Sequence, residues 1–374
     1  MKRTHVIFAV ILVICLLGSM LACAKPATAP APKPAPTPAP APKPAPAPVP
    51  APKPAPAPAP APKPAPAKTY ELRFGHTQPP THPHHVALEK FTEAVDTKSN
   101  GQVKINIYHS GQLGSWEEMF GQVIRGDLDG ARCVAAPAFD PRLEVVYMPY
   151  LTLDYDDVSK AYARDGWLVK AMSEMLEGMG VTLIACIPVS FLGLSNTKHP
   201  VRTFDDIKGM KIRVPAFPMV TELFKNWGAL ATPMSFSELY TALQTGVVDG
   251  QDNGPVTTYA SLRDVTKYYT TLGHCFEAMP IIFNNKLLEE MPADLRDIIL
   301  SEATKMSDDY RIICQQKEEE HIQLMKDYGI EVIELTPAER KAFADSARAM
   351  WPSFRKYIGK ALYDSVLEAT GVKF

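Results

Sequence analysis

Residues 204–215 read F-D-D-I-K-G-M-K-I-R-V-P, and residues 231–253 read A-T-P-M-S-F-S-E-L-Y-T-A-L-Q-T-G-V-V-D-G-Q-D-N. A short strand is expected at 211–214, because Pro215 has no N–H to continue a ladder. Helical spacing follows at 217–227, residues 228–232 lead into a further strand, and 236–244 is again helical. Strands alternating with helices at this interval imply an α/β fold with a covered sheet. Within the first strand Arg213 points away from Ile212 and Val214. It also lies near the carboxyl end of the strand, where clefts open in α/β proteins.

The same alternation extends towards the N-terminus. Residues 70–75 and 103–108 read as strands flanking a helix at 84–98, with Asn100-Gly101 as the turn between them. Ser115 caps a helix that runs to Arg125 and stops at Gly126, with Glu117 and Glu118 in its first turn. A buried strand is expected at 131–136, a helix from Asp156 to near Gly178, and an apolar strand at 181–189. Towards the C-terminus, strands are expected at 267–271 and 279–284, then a long helix at 293–328 and a short strand at 331–334. Thr336, Pro337 and Glu339 form a helix-start signature, and the last helix runs towards Gly371.

Outside residues 68–374 the composition changes abruptly. Lys2 and Arg3 precede an apolar run at 6–17 and then Met20-Leu21-Ala22-Cys23, the layout of an exported signal peptide at 1–23. The run falls short of the roughly 20 apolar residues a membrane span needs. The Met20–Cys23 stretch resembles a bacterial lipobox, which implies lipid attachment at Cys23; a non-lipidated signal or an uncleaved anchor are the alternatives. Residues 24–67 are almost entirely proline, alanine and lysine. They form an expected disordered polyproline II tether of about 3.1 Å per residue, with a proline-rich partner ligand as the alternative.

The whole chain carries a formal net charge of −2, which gives no sign of a nucleic-acid partner. Cys133, Cys186, Cys275 and Cys314 are widely spaced and suit neither a metal site nor a redox pair. No nucleophile elbow, H-E-x-x-H helix or Walker loop is present, so no catalytic residue is assigned. No cofactor is expected either. His82, His84 and His85 read as a solvated loop, since adjacent histidines do not all face one ion. His76, at the end of the first strand, is a pocket candidate.

The 204–255 stretch resembles the solute-binding proteins of tripartite ATP-independent periplasmic (TRAP) transporters, of the DctP type. Agreement extends through Leu72-Arg73-Phe74-Gly75, S-G-Q-L-G at 110–114, G-D-L-D at 126–129 and Met148-Pro149-Tyr150. The resemblance implies a two-lobed periplasmic-binding-protein-like fold with an inter-lobe ligand cleft and long C-terminal helices. Lobe I is expected at 68–189 plus 279–317, and lobe II at 190–278 plus 318–374. It further implies a non-enzymatic receptor that captures an organic acid and hands it to integral membrane subunits of a TRAP-type importer. Arg213 matches the family's carboxylate-pairing arginine, and a guanidinium offers two parallel donors to a carboxylate.

Asn253 matches a ligand-bonding asparagine, although Gly254 is inserted before Pro255. Phe236 matches a pocket aromatic. Phe191 stands where the sialic-acid branch has a second arginine, and residues 134–136 are apolar where that branch has an acid. A smaller or more apolar acid is therefore expected, with a dicarboxylate as the alternative if Arg132, Arg142 or His76 supplies a second polar contact. Tyr150, Tyr147, Trp116 and Gln112 complete the expected wall. An ABC-importer binding protein, an exported enzyme on the same scaffold and a structural wall protein are the rival readings.

Overall fold

The computed structural model describes residues 68–374 apart from Ala135. The signal peptide, Cys23 and the tether at 24–67 lie outside the described residues. Two sheets organise the described part. The first has the order β2 (Val103–Tyr108), β1 (Tyr70–Gly75), β3 (Gly130–Arg132), β10 (Phe276–Asn284) and β4 (Val181–Phe191). The second runs β11 (Glu331–Ile333), β9 (Tyr268–Thr270), β5 (Gly193–Asn196), β8 (Gly250–Asn253), β6 (Lys211–Val214) and β7 (Leu230–Pro233). Each sheet is mostly parallel, with antiparallel strands that arrive from the other side: β10 in the first and β5 in the second.

Helices cover both sheets. They are α1 (Pro83–Lys98), α2 (Trp116–Arg125), α3 (Tyr155–Tyr162), α4 (Trp167–Glu177), α5 (Phe204–Ile207) and α6 (Pro218–Asn226). After these come α7 (Phe236–Gln244), α8 (Pro255–Leu262), α9 (Asn285–Glu290), α10 (Ala293–Tyr328), α11 (Pro337–Arg348) and α12 (Trp351–Thr370). The 36-residue α10 spans about 54 Å. It buries Leu295, Ile299, Ala303, Met306, Tyr310 and Cys314, a three-and-four spacing that makes one apolar stripe. This stripe packs against α1 and β4 of the first sheet's side, while the same helix also meets α8 and β11. Gly329, at φ 97°, ends it in the left-handed conformation.

The chain crosses between the sheets beside the β4–β10 ladder. The Leu192 N–H donates to Cys275 O (2.8 Å), and the Gly273 N–H donates to Leu192 O (2.9 Å). The two crossing segments are thus bonded to each other. Gly193 is required there by close approach: a Cβ would sit 2.4 Å from the Tyr269 ring and 2.6 Å from Thr270 O.

Several sequence expectations are corrected. The strand expected at 131–136 ends at Arg132. The next position on its partner is Pro280, which has no N–H to give back. The helix expected from Asp156 to Gly178 is two helices, broken where Ala163 turns extended and Gly166 packs on Ala161 O. Residues Gly250–Asn253, which follow the helix at 236–244, form a strand, with Gly250 paired to Asn196 in the ladder. The last helix is α11 followed by α12, itself kinked at Gly359.

The histidine cluster is buried, not solvated: His82, His84 and His85 are 0%, 0% and 5% exposed. Most of their ring nitrogens find partners inside the protein, although His82 Nε2 has none among the described residues. His82 Nδ1 accepts from the His84 N–H (3.1 Å), and His84 Nδ1 accepts from Arg132 Nε (2.9 Å). That leaves His84 Nε2–H to donate to Pro188 O (2.8 Å). Among the described residues no three His, Cys, Asp or Glu side chains converge as metal ligands.

Candidate functional site

Arg213 is 1% exposed, an extreme position for a guanidinium. Its place is fixed by register: β6 lies between β7 and β8, with Arg213 opposite Thr232 on one side and Gln251 on the other. Nε donates to Met234 O (3.0 Å), while the buried Nη2 has no partner among the described residues. The guanidinium carbon lies 5.8 Å from the centre of the Trp116 ring, a cation–π contact. Burial lowers the Arg213 pKa from its ordinary value, but arginine remains charged.

Nine residues enclose a cavity around this group: Trp116, Tyr147, Leu192, Arg213, Pro215, Phe217, Asp252, Asn253 and Glu277. Trp116 comes from α2, Tyr147 from the turn Pro141–Tyr147, and Glu277 from β10, all on the side of the first sheet. The others come from β6, β8 and the segments next to them. The cavity therefore lies between the two sheets. Tyr147 and Phe217 pair in its wall (4.6 Å between centroids), and Trp116 is backed by Phe236 (5.7 Å). Its volume is about 10 Å³, on the order of one water molecule. A separate groove of about 580 Å³ runs between α1 and α10 and shares none of these nine residues.

Of the residues singled out in the sequence, the structure brings Arg213 and Asn253 into the cavity wall, together with Trp116 and Tyr147. Despite the inserted Gly254, Asn253 stays in register opposite Gly193. Its Nδ2 donates to Gln251 Oε1, and Gln251 Nε2 donates to Ser195 Oγ (2.6 Å). Gly254 itself is a close-approach position, since a Cβ would fall 1.8 Å from Ser190 Oγ. Phe236 stands one layer back, against Trp116.

The other expected residues lie elsewhere. Phe191 packs edge-on against Phe276 (5.0 Å) and Tyr155 (5.5 Å). Tyr150 donates its hydroxyl to Leu272 O (3.2 Å). His76 uses both ring nitrogens within the protein, accepting from the Gln78 N–H (3.2 Å) and sharing a proton with His85 (3.0 Å). Its pKa is lowered to about 3, chiefly by burial and then by Arg132. Gln112 is exposed. Arg142 is half in solvent and paired with Asp140 through Nη2 at 2.6 Å. The second buried guanidinium is Arg132, whose Nη1 has no partner among the described residues.

The sequence reading missed the acids. Asp252 and Glu277 are 3% and 8% exposed, and both line the cavity. Asp252 Oδ1 has no partner, and Oδ2 lies 3.6 Å from His274 Nε2. Burial raises Glu277 to about 7, against the pull of Arg132. The signal available in the sequence was a single acid inside the apolar run 276–284.

The site is thus a set of fixed donors and acceptors in a dry aromatic box, an arrangement that binds and orients. All four described cysteines are free and buried, and burial raises each thiol pKa. None is an activated nucleophile.

The sequence pattern of the family described as bacterial extracellular solute-binding protein, family 7 (DctP), matches residues 74–357. The C4-dicarboxylate-binding periplasmic protein DctP of Rhodobacter capsulatus is 30% identical over 317 residues, 81% of this chain and 92% of that protein. The sugar acid binding protein of Advenella mimigardefordensis, solved with galactonate, superposes with a TM-score of 0.77 at 27% identity, covering 81% of this chain and 98% of that one. A TRAP periplasmic solute binding protein of Desulfovibrio salexigens, solved with orotic acid, gives a TM-score of 0.74 at 28% identity, covering 81% and 98%.

Proposed function

The chain belongs to the bacterial extracellular solute-binding proteins of family 7 and is a receptor of the TRAP-transporter type; on that premise we propose that its inter-sheet cavity captures an organic acid by the carboxylate. The observation that carries this reading is the buried, unpartnered Nη2 of Arg213 in a cavity walled by both sheets. Leaving such a donor unmade costs about 1–3 kcal/mol, and more for a charged group. An anion that accepts from it removes that cost. Trp116 stacks against the guanidinium, Asn253 fixes the orientation of the acid, and Phe236 backs the aromatic wall.

Lobe I is assigned to 68–189 with 279–317, and lobe II to 190–278 with 318–374. Strands β1 to β3 belong to the first and β5 to β9 to the second; Glu277 falls two residues before the return to lobe I, although its strand, β10, lies in the first sheet. A cavity the size of one water does not admit an acid unless the walls part. Opening is assigned to a hinge at the bonded crossings, Leu192–Gly193 and Gly273–Cys275, with α10 running along both sides. The closed form passes its cargo to integral membrane subunits. Lipid on Cys23 and the proline-rich tether hold the receptor to the membrane; metabolic labelling with palmitate, lost in Cys23→Ala, tests that attachment.

The direct test of capture is a thermal-melt screen of purified protein against organic acids, with native mass spectrometry of the untreated sample. At least one carboxylate is expected to raise Tm by several degrees, about what a ligand at 100 times its Kd delivers. A screen in which no carboxylate moves Tm, with no bound acid in the mass spectrum, contradicts the reading.

A further inference from the structure

The carboxylate-capturing cavity contains acids as well as bases, and this restricts what else the ligand carries. Across from Arg213, Asp252 and Glu277 reach the same enclosed space from opposite sheets, one on β8 and the other on β10. Both are more than nine-tenths buried, and Asp252 Oδ1 has no partner among the described residues. An ionised carboxylate oxygen only accepts hydrogen bonds. It is satisfied by a ligand that brings an O–H or N–H, and it is repelled by a second carboxylate.

Charge balance points the same way. Two guanidiniums are buried in and behind this cavity, Arg213 in its wall and Arg132 behind Glu277. Against them stand the buried Asp252 and Glu277, with the half-buried Glu117 also acting on Arg213, so with Asp252 and Glu277 ionised the buried charges cancel. A ligand with one carboxylate makes the buried set singly negative, and proton uptake on Glu277 restores neutrality. The elevation of Glu277 to about 7 makes that uptake inexpensive near neutral pH. A dicarboxylate leaves one further negative charge in a dry site, which is strongly unfavourable. A bare alkanoate leaves Asp252 Oδ1 desolvated and unpaired.

We propose that Asp252 and Glu277 form a specificity pair that selects a monocarboxylate bearing a hydrogen-bond donor, hydroxyl or amine, over dicarboxylates and over unsubstituted acids. The proposal rests on the carboxylate reading of Arg213 and narrows it. It also corrects the expectation of a more apolar acid, since that expectation took no account of two acids that only the fold brings into the wall.

Calorimetry on the purified full-length protein tests it, using acids matched in length. The three-carbon set is propionate, lactate, glycerate, alanine and malonate; the six-carbon set is hexanoate, gluconate and adipate. In the length class that binds, the donor-bearing monocarboxylate is expected to bind at least about 10-fold tighter than the bare acid or the dicarboxylate. Lactate or glycerate against alanine separates hydroxyl from amine. Asp252→Asn is expected to weaken the donor-bearing acid and to raise dicarboxylate affinity about 10-fold or more, and Glu277→Gln to abolish the proton uptake that accompanies binding. A gain of affinity is a result that misfolding does not produce. Equal binding of bare and donor-bearing acids, a dicarboxylate as tightest ligand, unchanged dicarboxylate rejection in Asp252→Asn, or undiminished proton uptake in Glu277→Gln overturns the proposal while leaving carboxylate capture intact. If no acid in either set binds, both fall together.

Discussion

His76, His82, His84 and His321 have pKa values lowered by burial, whereas Glu144, Glu277 and Glu318 have theirs raised by it. The two sets act on stability with opposite sign. Between the unfolded histidine value of 6.5 and a folded value such as the 3 of His76, the unfolded chain holds more protons. Stability is therefore lost as pH falls through that window. Between the unfolded glutamate value of 4.5 and the folded value near 7 of Glu144 and Glu277, the folded chain holds more protons. Stability is there lost as pH rises.

From 4.5 to 6.5 the two sets offset one another; below 4.5 the histidines act unopposed, each worth up to about 1.4 kcal/mol per pH unit. They are joined there by carboxylates held low by their partners, such as Asp140 and, against the effect of burial, Glu222 and Asp249. Urea melts are expected to show a shallow profile from pH 4.5 to 6.5 and a steep fall below it. Removing one opposing carboxyl in Glu277→Gln should make stability climb with pH across 4.5–6.5. A wild-type loss already complete by pH 5.5 contradicts this account. At this scale Arg213 was legible, since a guanidinium before a strand-ending proline is placed by local rules. The histidines were not. Their burial depends on Arg132 and Pro188, 48 and 104 residues away from His84.

Among the elements, β8 shows how a loop-like sequence becomes a strand. Its residues Gly250, Gln251, Asp252 and Asn253 have poor strand propensity. Tertiary context overrides it: β5 and β6 flank it, and Gly250 fits where a Cβ would meet Ser195 O at 2.4 Å. The strand then delivers Asp252 and Asn253 to the cavity together. The next residue, Gly254, abuts Ser190 on β4, so β8 and the crossing segment are locked by contact.

Gly254→Ala is expected to lower stability by about 2 kcal/mol or more, the usual scale for overpacking, and to weaken acid binding beside it. Chemical denaturation paired with calorimetry checks this; a variant as stable as wild type with unchanged affinity contradicts the contact. The long helix, the capping boxes at Ser115 and Thr336, and the strand at 211–214 were all readable in the sequence, because spacing and capping are local. The end of β3 was not readable, because it depends on a proline in the partner strand, Pro280.

For the molecule as a whole, the sequence pattern indicated an α/β fold with a covered sheet, and the resemblance two lobes, but neither indicated which walls meet. Trp116, Tyr147 and Glu277 reach Arg213 only because two crossing segments and α10 set the sheets against each other. The central claim is that this arrangement closes on an acid through Arg213. Once the melt screen has supplied a binding acid, calorimetry of wild type, Arg213→Lys and Arg213→Ala, each with X-ray scattering before and after ligand, tests it most directly. The alanine variant is expected to lose at least about 1.5–3 kcal/mol of affinity and to show no ligand-induced compaction. Lysine is expected to recover only part of that, as a point charge without the paired donors. Undiminished affinity and full compaction in Arg213→Ala, in a variant that remains folded, would contradict the account.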